Sequence, residues 1–88
     1  MSLADVRRAH ERHVDLVAKF DRAPNAASRA VVAENIAAAM RAEADNIDGS
    51  LLARALSFGT AERCRADAAQ WDARAAECWA EAAKESDL

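Results

Sequence analysis

Apolar side chains recur every three or four residues through most of the chain and do not alternate in twos, so the pattern predicts helices and no strands. In the first stretch Leu3, Val6, Ala9, His10, His13, Val14, Leu16, Val17 and Phe20 share one arc, while Asp5, Arg8, Arg12, Asp15 and Lys19 occupy the other. Ser2 is placed to cap this helix, with Asp5 near its positive end, and Asp21-Arg22-Ala23-Pro24 breaks it, giving a helix over 3–21. Asn25 is the expected cap of a second helix over 25–47, with Val32, Ile36, Met40 and Ile47 on one face and Asp48-Gly49-Ser50 as its stop. A helix continuing through Gly49 would turn Leu52 and Leu56 off the apolar face, so a break there buries more. A short connector helix is expected over 51–58, ended by Gly59. Thr60 then caps a long last helix over 60–86.

That last helix carries two stripes. Cys64, Ala68, Trp71, Ala75, Cys78 and Ala82 recur at alternating steps of four and three, a heptad seam that another helix can approach closely. Trp79 falls about 80° round from Trp71 at roughly 100° per residue, at the edge of the seam. On the other side, Ala66, Ala69, Ala73, Ala76, Ala80 and Ala83 form a nearly smooth stripe. Alanine is a good helix former wherever packing does not decide, and it also allows close approach, either to a neighbour within the chain or across a symmetric dimer. The fold these elements imply is all-α: a single domain over 1–88, built as an antiparallel bundle of three long helices with the connector.

Composition makes this bundle thin. Of the 88 residues 25 are Ala, and 21 larger apolar or sulfur-bearing side chains remain to build a core. Burying an Ala methyl contributes well below the roughly 1.5 to 3 kcal/mol of a Leu or Phe, so a homodimer is the expected route to stability. The dominance of Ala and of Arg over Lys is bacterial in character. No apolar run approaches a membrane span and no signal-peptide core follows Met1, so the expected location is cytoplasmic.

The net charge of −3 is uneven: +1 over 1–23, −1 over 24–59 and −3 over 60–88. Glu77, Glu81 and Glu85 form a ladder of like charge that either faces water or meets a basic partner. This balance disfavours non-specific binding of nucleic acid.

Three constellations bear on chemistry. His10 and His13 lie three apart on the apolar arc, and Glu43 lies among Ile36, Met40 and Ile47, where a carboxylate needs a partner to offset its desolvation. A hydrogen bond between His13 and Glu43 would satisfy both groups. The same three residues could hold a metal ion if a neighbouring helix supplied further ligands, although the spacing is not that of HExxH. Cys64 and Cys78 would stand about 21 Å apart on one helix, too far for a disulfide or a shared ion, so they read as small buried hydrophobes. Finally, 51–66 has some look of a helix-turn-helix, with Arg54, Arg63 and Arg65 making it locally positive, but Gly59 is displaced from the usual turn and the last helix is too long for a recognition helix.

No Gly-rich phosphate loop or nucleophile motif is present, and no family motif is legible, so an enzyme is not expected and no cofactor is called for. The reading that remains is a small protein-binding module, an adaptor or inhibitor that occludes a surface of a larger protein, using Trp79, Glu77, Glu81 and Glu85. An origin in a mobile element or phage suits such a protein. The alternatives are a DNA-binding regulator through Arg54, Arg63 and Arg65, and a helical metal protein through His10, His13 and Glu43.

Overall fold

The structure is a computed structural model that describes residues 3–55 and 60–86, apart from the side chains of residues 3, 6, 53 and 54. Three long helices, α1 (Leu3–Arg22), α2 (Ala26–Asp48) and α4 (Ala61–Ser86), pack together, and a short helical segment, α3 (Leu51–Ala55), follows α2. No strand occurs among the described residues. The cap expected at Ser2, the stop at Gly59 and the inner positions given to Leu3, Val6 and Leu56 lie outside what is described.

The helix boundaries follow from local chemistry. Pro24 cannot donate to a helical ladder and disfavours helix at the residue before it, so α1 ends at Arg22 and Ala23 N–H closes on the Phe20 carbonyl. Asn25 stands in extended geometry and its side chain accepts from Ser28 N–H at 2.8 Å, which fills one of the open donors at the start of α2. Thr60 does the same for α4, its hydroxyl accepting from Arg63 N–H at 3.0 Å. Gly49 ends α2 with a right-handed backbone, φ −82°, so its freedom from a Cβ is not what stops the helix. Instead Ser50 N–H turns back to the Ile47 carbonyl at 3.1 Å. Breaking the helix there does not bury Leu52, which remains exposed with Leu51.

α2 is the middle of the structure. Its buried positions, Ala26, Ala30, Ala33, Ile36, Ala37, Ala39, Met40, Glu43, Ala44 and Ile47, spread over a wide arc because α1 covers one flank and α4 the other. Residues early in α1 meet residues late in α2: Asn46 donates to the Asp5 carbonyl, and His10 and His13 reach Glu43. Along α2 and α4 the order is likewise reversed, with Arg29 on Glu81, Glu34 on Trp79, Arg41 on Asp72, and Asp45 and Asp48 on Arg65.

The seam on α4 faces α2, with Ala68, Ala75 and Cys78 buried and Cys64, Trp71 and Ala82 half-buried. The central cluster joins Ile36, Ala37 and Met40 to Ala68, and Leu16, Val17, Phe20, Val32 and Trp71 close around it. Phe20 and Trp71 bring α1 and α4 together, ring centroids 5.1 Å apart and edge to face, while the Arg74 guanidinium lies 4.7 Å above the indole. The core is as thin as the composition implies: among the described residues the two largest fully enclosed side chains are Ile36 and Glu43, one of them a carboxylate. A radius of gyration of 14.7 Å exceeds the roughly 12 Å of a compact chain of this length, in keeping with a slab of 52 × 20 × 15 Å.

Two positions on α1 depart from the expected inner arc. Val14 is half exposed, and so is the side chain of His10. α1 rests on α2 along a narrow line, so residues at the edges of its nine-residue arc reach past the contact.

Candidate functional site

Two places in this slab bring chemistry-bearing residues together. The first lies between α1 and α2. Glu43 is held inside by Ile36, Met40 and Ile47 on the same helix face, and its carboxylate is almost wholly shielded from solvent. One helical turn of α1 supplies two imidazoles to it. His10 Nδ1 lies 2.8 Å from Oε1 and His13 Nδ1 lies 2.6 Å from Oε2, so each carboxylate oxygen has its own partner. Because the carboxylate accepts, each Nδ1 carries the proton that donates to it. The rings stand edge to face with centroids 4.9 Å apart. His13 is 17 % exposed and His10 is 50 % exposed, so this cluster opens to solvent on the His10 side. Sequence reasoning paired Glu43 with His13; the turn of α1 that places His10 on the second oxygen is a matter of how the two helices are rotated against each other.

Cys64, on α4, feels the same carboxylate. Burial pushes its thiol above the ordinary value, and the charges of Glu43 and Asp67 add to the rise, against the smaller pull of Arg63 and Arg65. The two arginines beside it therefore do not make an activated nucleophile. Both cysteines are free.

The second place is the outer face of α4. Ala66, Ala69, Ala73, Ala76, Ala80 and Ala83 are all exposed, so no neighbour within the described chain uses them for close approach. Trp79 is 42 % exposed and its indole Nε1 donates to Glu34 at 2.7 Å, which fixes a large amphipathic ring at the surface. Val31, one turn before Glu34 on α2, is also exposed. Glu77, Glu81 and Glu85 are exposed, and Arg29 reaches Glu81 at 3.4 Å. At 100° per residue Trp79 lies about 160° round from both Glu77 and Glu81. Tryptophan and glutamates therefore flank the alanine stripe on opposite sides, and a partner that touches both must lie along the stripe.

Of the arginines expected to project together, Arg65 bonds to Asp48 at 2.8 Å and to Asp45 at 2.9 Å. Those hydrogen bonds, Asp48 first, hold it protonated even beyond its usual range. Two carboxylates neutralise it, leaving little charge for a phosphate. Arg63 is exposed, and the Arg54 side chain lies outside what is described. Sequence reasoning missed this clamp because it spans the turn after α2, and it also missed an open groove of about 590 Å³ between α1 and α2, lined by Asp5, Arg8, Arg12 and the alanines 38, 39 and 42. No described helix is long and apolar enough to cross a membrane.

No family model matches the chain, and neither does any curated protein or solved structure.

Proposed function

We propose that this chain is a non-enzymatic protein-binding module, an adaptor or inhibitor that occludes a surface of a larger partner, and that the outer face of α4 is what it presents. The observation that carries the reading is the pairing of a fixed, part-exposed Trp79 with an exposed stripe of six alanines. Alanine leaves the backbone approachable, and an indole already held by Glu34 loses little conformational freedom on binding. The partner surface that fits is a shallow apolar groove wide enough for one helix, with Lys or Arg along the edge that meets Glu77, Glu81 and Glu85.

The architecture behind it is an antiparallel bundle of the three long helices joined by a connector helix, supported by the reversed order of contacts along both pairs. A second copy of the chain is the other occupant the stripe could take, and it sets the test. Wild type, Trp79→Ala and Glu77→Lys/Glu81→Lys are compared by sedimentation equilibrium and by capture from a lysate of the native host. The reading expects a defined partner retained by the wild type and lost from both variants, with melting temperatures comparable to the wild type. Capture unchanged in both variants, or loss that tracks unfolding, overturns it. A wild-type dimer abolished by the same changes, with nothing captured, assigns the face to self-association instead.

A further inference from the structure

We propose that His10, His13 and Glu43 form a binding site for one divalent transition-metal ion of the Zn²⁺ class, with two imidazole nitrogens and one carboxylate oxygen as ligands and a fourth position open to water. The donor atoms of the three residues lie within 4.8 Å of one another, drawn from two helices. They include both histidines of the chain. A nitrogen-nitrogen-oxygen set of this kind suits Zn²⁺ and Fe²⁺ and is poor for Ca²⁺ or Mg²⁺, which favour all-oxygen shells.

The donor atoms are gathered but must close further to hold an ion. Zinc bonds of about 2.0 to 2.2 Å at tetrahedral angles separate neighbouring ligand atoms by about 3.3 Å. The two histidines bond different oxygens of Glu43, at 2.8 and 2.6 Å, and the donor set spans up to 4.8 Å, so side-chain torsions must bring both imidazole nitrogens to about 3.3 Å from one oxygen and from each other. On binding, the ion takes the Nδ1 lone pairs and each neutral imidazole becomes its Nε2–H tautomer, the Nδ1 proton passing to Nε2 through solvent with no net proton released. Access is already present, because His10 is half exposed while Glu43 and His13 form the closed back of the site. Glu43 is buried on α2 and bonded to both imidazoles, so the carboxylate is held in place before the ion arrives.

The test uses the full chain without an affinity tag, freed of metal by a chelator. Zn²⁺ is titrated by calorimetry, and the two imidazoles are followed by nitrogen NMR. The proposal expects one ion per chain, a higher melting temperature, and a shift of both imidazole spin systems with Nδ1 as the ligating atom. His10→Ala, a change at a half-exposed position that the fold should tolerate, is expected to weaken binding by roughly tenfold or more, as is Glu43→Gln. Unmoved imidazole resonances in a large excess of Zn²⁺ overturn the proposal. So does binding that survives His10→Ala unchanged but is lost in Cys64→Ser, since that would place the ion elsewhere.

Discussion

The two flanks of α2 are packed by different means. Against α4 it gathers Ile36, Ala37 and Met40 around the small Ala68, and Ala75 and Cys78 continue the seam, with Arg41 to Asp72 and Arg65 to Asp45 and Asp48 bridging its rim. Against α1 it presents a buried carboxylate, and no described side chain of α1 is fully buried. An open groove runs beside this second contact. The difference teaches that an alanine-rich chain can build a tight seam where two helices come close, yet must hold its third helix by a polar anchor and a few larger side chains such as Leu16, Val17 and Phe20.

The largest effect is expected at the seam. Ala68→Leu forces extra methylenes into a space with no room, and a loss of about 1 to 3 kcal/mol or more in urea unfolding follows from overpacking. A similar insertion on the outer stripe, Ala73→Leu, should cost less than about 0.5 kcal/mol because that position faces solvent. If the two cost the same, the seam is not close-packed.

Next comes the anchor. Glu43→Gln keeps the volume but removes the charge that both imidazoles share, with an expected cost of about 1 to 2 kcal/mol, reduced by the exposure of His10. The loss should appear as loosening of α1, read as faster amide exchange in that helix alone.

A smaller effect involves Cys64. Its thiol is raised by burial and then by Glu43, so the folded state disfavours the thiolate. The stability this represents is fully present below the ordinary thiol range and is lost as pH rises through the elevated folded value. Labelling of Cys64 by iodoacetamide should be slower in the folded protein than in urea at mildly alkaline pH, and Glu43→Gln should narrow the gap. The smallest effect belongs to Val14→Ala, below about 0.5 kcal/mol because the side chain is half exposed.

Much of this arrangement was legible in the residues. Asn25, Pro24 and Thr60 mark boundaries through chemistry that acts within three or four residues, and the alternating step from Cys64 to Ala82 names the inner face of α4. Glu43 stood out because a carboxylate on an apolar face requires a partner, and the apolar arc of α1 carried His13 to supply one. The width of the α1 contact was not legible. Val14 and His10 satisfy the period as well as Val17 does, and the distance to which two helices close depends on residues of both. The same holds for α2, whose alanines at 30, 33 and 44 read as neutral by composition yet are buried. Arg65 likewise looked like one of a basic group until the turn after α2 brought Asp45 and Asp48 to it.

The central claim is that α2 and α4 form the tight unit and α1 is secured to it chiefly through Glu43. Native-state hydrogen exchange followed residue by residue tests it most directly. Amides of the middle of α2 and α4 should share the highest protection, those of α1 should open at lower free energy, and Glu43→Gln should lower α1 further while leaving the α2 and α4 values in place. Equal protection across all three helices, falling together in Glu43→Gln, would contradict the account.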